Sequence, residues 1–250
     1  MDAIATGATF AMLDTMARGR INSGQGRRWL RRLALALFVL LVAAPVLLLL
    51  LFRFVPLPGT PEMLLSMAEG KGAHYAWADD INPVLGRTVI GSEDQNFCSH
   101  HGFDWGQIDK AMAAHERHPT RHLRGASTLS QQTARTLFLA YQGGWVRKGL
   151  ETYLTVLVEG LWPKKRILTA YLNLVDWGHG NFGAEAAARA YFHTSAAHLT
   201  RSQAARLAAI LPDPTKWNAA APGPYVAGRA RVLRGQASVV TRDDLDFCVK

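Results

Sequence analysis

The feature that most constrains this chain is an uninterrupted apolar run near its N-terminus. Residues 33–52 read LALALFVLLVAAPVLLLLLF and contain no charged or strongly polar side chain. Twenty helical residues rise about 30 Å, which is the thickness of the hydrocarbon core of a bilayer. Pro45 lies inside the run, and membrane helices tolerate proline better than soluble helices do. The sequence therefore predicts a single transmembrane helix over 33–52.

A cleavable signal peptide is the alternative interpretation of this run. Its apolar core usually has about 7–15 residues and ends at a small-residue cleavage site. Here the run is longer, and Val55-Pro56-Leu57-Pro58 follows it. We therefore expect an anchor that is not cleaved.

The net charge of +9 is unevenly distributed along the chain. Residues 1–32 contain six arginines and two aspartates, an excess of +4. A basic excess suits nucleic acid, an anionic membrane surface or a phosphorylated substrate, and the adjacent apolar run favours a membrane over nucleic acid. The positive-inside rule predicts a cytoplasmic basic tail over 1–32 and places residues 53–250 outside the membrane.

The part of the chain beyond the anchor shows the pattern of a helical domain. Prolines and a glycine stiffen its first residues, and 53–79 is predicted to be a linker and membrane-proximal segment. No segment shows the sustained alternation of apolar and polar residues that is typical of a β-strand. We predict a mainly α-helical domain over 80–240 and a C-terminal tail over 241–250. Apolar spacing and capping residues predict helices from Asn82-Pro83 toward Glu93, from Asp104 to Arg117, from Ser127 through Leu139, from Trp145 to Leu161, from Pro163 to Val175, and over 184–192, 201–211 and 224–238.

The two cysteines, Cys98 and Cys248, fit no metal-ligand spacing. An oxidising compartment would permit a disulfide between them. Because Cys98 lies inside a polar motif and Cys248 lies near a chain end, we expect two unpaired thiols.

Two polar clusters carry residue types that serve catalysis or phosphate binding. The first, Glu93 to Asp104, holds three carboxylates and two histidines in twelve residues. That is too many polar groups for a packed core unless they are paired or functional, although a solvated helix end is an alternative. The second, Gly125 to Arg135, places hydroxyls at a helix start, where N–H groups and the helix dipole favour phosphate. An ordinary capped helix would also explain this second cluster.

Two further clusters combine cations with carboxylate and amide groups. Arg147 and Lys148 precede Glu151 by four and three residues, so helical spacing places all three on one face. A surface ion pair is the default interpretation of such a face. The fourth cluster runs from Lys164 through Phe192 and mixes three adjacent cations with Tyr171 and Asn173.

The four clusters, in this order, resemble the motifs of the peptidoglycan glycosyltransferase family. A fifth motif, L-A-A-x-L-P-x-P, is met at Leu207 to Pro214. The chain has no Ser-x-x-Lys sequence, which a penicillin-binding transpeptidase would need, and it is similar to the monofunctional branch of the family. The first three motifs are met by Glu93, Asp94, Phe97, His100 and Gly102, by Gly125, Ser127, Thr128, Gln131 and Gln132, and by Arg147, Lys148 and Glu151.

The resemblance implies a lysozyme-like helical fold and polymerisation of lipid II into β-1,4 glycan strands with release of polyprenyl diphosphate. It implies that Glu93 is the general base of an inverting displacement and that Glu151 is a second catalytic carboxylate, which orients the cations. The substrate-binding residues that it implies are Asp94, Phe97, His100, Gly125, Ser127, Thr128, Gln131, Gln132, Arg135, Arg147, Lys148, Lys164, Tyr171 and Asn173.

The resemblance also implies cofactors, partners and location. No cofactor is required, and Mg²⁺ or Mn²⁺ near Glu151 would at most stimulate the reaction. The expected partners are lipid II, the growing lipid-linked strand, the membrane and other cell-wall synthesis or division proteins, but no nucleic acid. The implied location is the bacterial inner membrane, crossed once, with the catalytic domain in the periplasm.

Two questions remain open at the level of sequence. A lytic or lysozyme-like enzyme also uses carboxylates in a helical domain, although cations beside the carboxylates favour a diphosphate leaving group. Leu137, Phe138, Leu139 and Trp145 could rest on the lipid surface or belong to the core. The chain also departs from the common family pattern at Arg135-Thr136 and at Gly143.

Overall fold

The structure is a computed structural model, and it describes residues 23–118, 126–140 and 144–250. The chain divides into two compact units, Met1–Leu48 and Leu49–Lys250. The predicted basic tail up to residue 22, and also Gly125 and Gly143, lie outside the described residues.

The apolar run forms a helix, as its composition predicts. Helix α1 (Ser23–Phe38) continues through a π-helical turn (Val39–Ala43) into α2 (Ala44–Phe52). The turn precedes Pro45, which has no N–H to donate to the carbonyl four residues earlier. Among the described residues, one helix, Gly26–Phe52, is long and apolar enough to cross a membrane by length and composition. Its apolar side chains are largely exposed; Leu40, for example, is 66% exposed.

The second unit is mainly helical, which confirms the predicted fold class. Two short strands, β1 (His74–Tyr75) and β2 (Asn181–Phe182), pair in parallel; strands of two residues are too short to show alternation in a sequence. Short 3₁₀ helices span Ala196–His198 and Phe247–Val249. The α-helices are α3 (Pro61–Ala68), α4 (Pro83–Glu93), α5 (Trp105–Arg117), α6 (Leu129–Phe138), α7 (Trp145–Leu161), α8 (Lys164–Leu174), α9 (Ala184–Phe192), α10 (Arg201–Ile210) and α11 (Pro224–Arg242).

Capping side chains mark where five of these helices, α3, α4, α5, α6 and α10, begin. Asn82 accepts from the Val84 N–H at the start of α4, and Asp104 accepts from Gln107 at the start of α5, both as predicted. The cap of α6 is Thr128 and not Ser127, so this prediction is wrong by one residue. Only Thr128 has a glutamine three residues later, and that glutamine completes a capping box.

Helix α3 lies in the segment that was predicted to be a linker. Thr60 caps it by accepting from the Met63 N–H at 3.3 Å, and Pro61 occupies its first position. Met63 is buried in the core. Pro61 was expected only to stiffen the chain, whereas a proline at the first helical position favours a helix start.

Helix α4 is held in the core and ends at Glu93. Leu85, Val89 and Ile90 are fully buried. At Gly91, a Cβ atom would lie 3.2 Å from Cγ2 of Val240, so the missing side chain lets α11 pack closely against α4. The position of Glu93 is therefore determined by packing along the whole of α4.

Cys98 and Cys248 form a disulfide, with their Cα atoms 5.4 Å apart. The expectation of two unpaired thiols is wrong, because the C-terminal segment folds back onto the domain. Asp246 is buried and its Oδ2 lies 2.8 Å from Nε of Arg87. Packing of this segment brings together two cysteines that are 150 residues apart.

Candidate active site

Glu93 is a partly buried carboxylate that still reaches solvent. Its side chain is 17% exposed. The Gln132 amide Nε2 donates to its Oε2 at 3.2 Å, and the Arg229 guanidinium lies 3.9 Å from its Oε1. Burial raises the pKa of Glu93, while the Gln132 hydrogen bond and the charges of Arg229 and Arg135 oppose that rise. A carboxylate in such surroundings is a stronger base than one in water.

Tyr171 positions Gln132. Its hydroxyl donates to Oε1 of Gln132 at 3.1 Å, so the amide nitrogen is directed toward Glu93. Tyr171 is buried, and burial raises the pKa of its hydroxyl well above the ordinary value. The hydroxyl therefore remains a hydrogen-bond donor at neutral pH.

Asp94 and His100 connect the first two motifs from inside the protein. The Leu129 N–H at the start of α6 donates to Oδ2 of Asp94 at 2.9 Å. Nδ1 of His100 accepts from the Gly102 N–H, so its Nε2 carries the proton that is donated to Asp94 at 3.0 Å. The hydroxyl of Thr128 donates to the Gly102 carbonyl at 2.6 Å. These contacts keep the loop after Glu93 against the start of α6.

A second, buried carboxylate holds two cations. The Glu151 side chain is 1% exposed, and its oxygens accept from Lys148 Nζ and from the Arg147 guanidinium, the latter at 2.8 Å. Arg147 and Lys148 are 23% and 38% exposed. Glu151 thus fixes a pair of cations that face solvent.

The structure brings the two carboxylate clusters together. Nζ of Lys148 donates to Oγ of Ser127 at 3.3 Å, and the Gln132 amide that contacts Glu93 also lies 3.5 Å from the Ser127 carbonyl. The contacts form a chain from Glu93 through Gln132, Ser127 and Lys148 to Glu151. The residues at the start of α6 therefore lie between the Glu93 carboxylate and the cations Arg147 and Lys148.

Several residues with predicted substrate contacts are engaged inside the protein. Phe97 is fully buried. Asn173 is also fully buried and bonds to both the N–H and the carbonyl of Ala78. Gln131 completes the capping box of α6. Nζ of Lys164 lies 2.6 Å from Glu159 and 4.5 Å from the centre of the Phe97 ring.

Two charged residues near the site, Arg229 and Glu159, were not predicted from the sequence. Arg229 follows Val226 by three residues and precedes Leu233 by four, so it lies on the buried stripe of α11. Glu159 follows Glu151 by eight residues on the same face of α7 and pairs with Lys164 and Ser130. A charged residue inside an apolar stripe was the signal in each case.

The side chains around Glu151 do not fit a divalent cation in this arrangement. Both of its oxygens accept from cations. Within the described residues, no group of three or more His, Cys, Asp or Glu side chains converges as a metal site would require. No step of the reaction is therefore assigned to a metal, and stimulation by Mg²⁺ or Mn²⁺ stays a prediction.

Comparison with known families decides the class of the protein. The family model described as Transglycosylase matches residues 62–238. This chain belongs to the transglycosylase family. The match confirms the resemblance that five motifs indicated, and it confirms that the chain is a glycosyl-transferring enzyme. The matched region of this transglycosylase includes Glu93, the Glu151 cluster and Arg229.

Relatives of the transglycosylase match over nearly their full length, and three of them are named biosynthetic peptidoglycan transglycosylase. The protein of Caulobacter vibrioides is 49% identical over 225 residues, which cover 89% of this chain and 97% of the relative. That of Rhodospirillum centenum is 45% identical over 228 residues, covering 89% and 96%. That of Pseudomonas aeruginosa is 46% identical over 212 residues, covering 81% and 90%.

Proposed function

We propose that this transglycosylase is a peptidoglycan glycosyltransferase that polymerises lipid II into β-1,4 glycan strands and releases polyprenyl diphosphate. The names of the relatives, biosynthetic peptidoglycan transglycosylase, support peptidoglycan as the product. The observation that carries the proposal is the chain of contacts between a partly exposed carboxylate, Glu93, and the cation pair held by Glu151.

Glu93 acts as the general base. Its carboxylate takes the proton of the acceptor sugar 4-hydroxyl, and the oxygen attacks the anomeric carbon of the donor. The bond from that carbon to the diphosphate oxygen breaks with inversion, and the electron pair leaves with the diphosphate. A positioned base contributes about 10²–10⁴-fold to such a step. Gln132 and Arg229 favour the ionised form of Glu93, and the Gln132 hydrogen bond orients its carboxylate.

Arg147 and Lys148 stabilise the leaving diphosphate. Charge develops on its oxygens as the bond breaks, and fixed cations at that place lower the barrier. Ser127 adds a hydroxyl beside Lys148, and Arg135 adds a charge close enough to influence Glu93. Glu151 is a positioning residue, because it holds the two like charges together.

A glycan-cleaving enzyme fits this arrangement less well. Its leaving group is a sugar hydroxyl, which needs a second carboxyl group as a proton donor. Both oxygens of Glu151 are paired with cations, and the side chain that donates a hydrogen bond to Glu93 is the amide of Gln132. The polar groups beside Glu93 thus suit an anionic leaving group.

The proposed location is the outer face of a membrane, anchored by the helix that ends at Phe52. The arginines before the helix favour a cytoplasmic N-terminus. The Cys98–Cys248 disulfide supports an oxidising compartment for the domain. Association with other cell-wall synthesis or division proteins stays a prediction.

Trp145 and Val146 are the residues that we expect to touch lipid. They are 92% and 81% exposed at the start of α7, next to Arg147. Leu137, Phe138 and Leu139 are instead partly buried and packed against the core. In a chain that begins at Leu49, Trp145→Ser with Val146→Ser should weaken liposome binding. Tyr225→Ser with Val232→Ser, at sites on α11 that are 65% and 61% exposed, is the control, and equal binding by both variants would contradict the assignment.

Gel analysis of polymer made from lipid II tests the function. The native chain should produce polymer, Glu93→Gln none, and Glu151→Gln far less than the native chain. Glu116→Gln, an exposed position on α5, should leave the rate unchanged. Polymer from Glu93→Gln at the native rate would refute the base. Digestion of preformed glycan without synthesis would support a lytic enzyme instead.

A further inference from the structure

A basic cavity lies at the end of the α4–α11 pair that is remote from Glu93. Its volume is about 540 Å³, and it is formed by the start of α4, the start of α10 and the C-terminal half of α11. Four arginines line it: Arg87, Arg201, Arg234 and Arg242. We call this feature the arginine groove.

The arginine groove has unbalanced positive charge. Arg87 pairs with Asp246, and Arg242 pairs with Asp243. In the part of the chain that the structure describes, Arg201 and Arg234 have no ion-pair partner, and no carboxylate lines the groove. A guanidinium group binds carboxylates and phosphates through two parallel hydrogen bonds. The groove is therefore suited to a ligand with more than one anionic group.

The remaining lining favours an organic acid over a bare inorganic anion. Ser238 and Thr241 add hydroxyls, while Val84 and Leu199 add apolar surface between the arginines. A cavity of this volume is much larger than a phosphate ion and lies within the range of small-molecule sites. A short peptide with several carboxylates would satisfy both the charged and the apolar parts.

The arginine groove is separate from the catalytic site but rigidly connected to it. Helices α4 and α11 run antiparallel: Glu93 at the end of α4 faces Arg229, whereas Arg87 lies near the residues that follow α11. Arg87 is the groove residue nearest to Glu93 along α4; it lies six residues earlier, a rise of about 9 Å, and the groove extends to the start of α4, about 15 Å from Glu93. A strand that leaves Glu93 along the α4–α11 pair would meet the groove at this distance.

We propose that the arginine groove binds the carboxylates of the acidic stem peptide on the glycan strand. The inference rests on the proposed function, because only a peptidoglycan strand carries such a peptide. No bond is made or broken at the groove, and its role is to hold the strand while Glu93 acts on the next sugar.

Fluorescence anisotropy with the full chain in detergent micelles tests this. The probe is a labelled pentapeptide, L-Ala-γ-D-Glu-diaminopimelate-D-Ala-D-Ala. The native chain should bind it saturably, and Arg201→Gln with Arg234→Gln should lose about tenfold or more in affinity, because the substitutions remove two charged hydrogen-bond donors from the groove. Arg201→Lys with Arg234→Lys keeps the charge and should recover part of the affinity.

Matched controls separate the groove from general basicity. Arg206→Gln with Arg231→Gln removes the same charge from the same two helices outside the groove lining, and it should bind the peptide like the native chain. The peptide with methylated carboxylates should not bind. Equal affinity of the native chain and the Arg201/Arg234 glutamine variant, or equal binding of the methylated peptide, would overturn the proposal.

Competition identifies the source of the anion. Neither inorganic diphosphate nor vesicles with anionic headgroups should displace the peptide as well as unlabelled peptide does; if either does, the groove is a phosphate site and the proposal fails. Glu93→Gln should bind the peptide normally while making no polymer, and the Arg201/Arg234 glutamine variant should still polymerise lipid II. Polymer made by Glu93→Gln would contradict the proposed function. Native-like peptide binding by the Arg201/Arg234 glutamine variant would contradict this inference.

Discussion

The side-chain amide of Gln132 donates to the Glu93 carboxylate at 3.2 Å. The same amide accepts from the buried hydroxyl of Tyr171 at 3.1 Å, so its orientation is fixed. A fixed donor favours the ionised form of Glu93. The base thus combines a pKa that burial raises with a hydrogen-bond donor that opposes this rise.

Arg229 should control the acid limb of the pH–rate profile. The base must be ionised, so kcat/KM falls as the pH drops through the Glu93 pKa, which burial raises. Because the Arg229 charge lowers this pKa, Arg229→Gln should move the acid limb to higher pH. Arg229→Lys should stay close to the native profile, and Arg231→Gln, exposed on the same helix, is the control. An acid limb that does not move in Arg229→Gln would contradict the assignment.

Glu93→Gln should stabilise the protein. A carboxyl group whose pKa is raised in the folded state costs stability once the pH exceeds that pKa, because the unfolded chain carries its charge in water. The melting temperature of Glu93→Gln should exceed that of the native chain at pH 8, and the difference should shrink toward pH 4. A difference of 1 kcal/mol would appear as about 2–4 °C. A lower melting temperature at pH 8 would show that the carboxylate stabilises the fold.

Glu151→Gln should destabilise the domain. The substitution leaves Arg147 and Lys148 near each other with no carboxylate between them. Removing one partner of a buried ion pair lowers the free energy of unfolding by about 3–5 kcal/mol. Because both cations are partly exposed, we expect a smaller loss of about 2–3 kcal/mol. Denaturant unfolding measures the change. Glu116→Gln serves as the surface control, and equal stability of the two variants would refute the prediction.

The disulfide should stabilise the domain. Disulfides typically contribute about 2–4 kcal/mol, mainly by restricting the unfolded chain, and the long loop that this one closes favours the upper end of that range. Cys98→Ser with Cys248→Ser should therefore lower the melting temperature. A reducing agent should lower the melting temperature of the native chain but leave that of the double variant unchanged. An effect of the reducing agent on both would point to a cause other than this bridge.

Two turn glycines should not tolerate alanine. Gly178 has φ +94°, and a Cβ atom there would lie 2.0 Å from the Pro214 carbonyl oxygen; Gly183 has φ +84°, and its Cβ atom would lie 2.3 Å from the Asn173 carbonyl oxygen. Each alanine variant should lose about 2 kcal/mol or more, because backbone must move and φ is strained. Gly228→Ala, inside α11 with nothing within 4 Å, should gain about 0.5–1 kcal/mol. Thermal unfolding of the three variants separates these outcomes.

Local sequence predicted the helices well, because capping and apolar period are properties of neighbouring residues. Asn82-Pro83 and Asp104 begin helices where they were expected. The motifs also identified Glu93 and the Arg147-Lys148-Glu151 face. The cap of α6 was misplaced because Ser127 and Thr128 both offer a hydroxyl, and the reciprocal bond with Gln131 selects between them.

The sequence by itself determined the apolar span, the helical class, the family and the residue types available for catalysis. Only the tertiary structure decided which of those residues meet. Packing of α11 on α4 places Arg229 beside Glu93, and docking of the last ten residues joins Cys248 to Cys98. These contacts join residues more than a hundred positions apart, and their geometry follows from burial of apolar faces that no local pattern specifies.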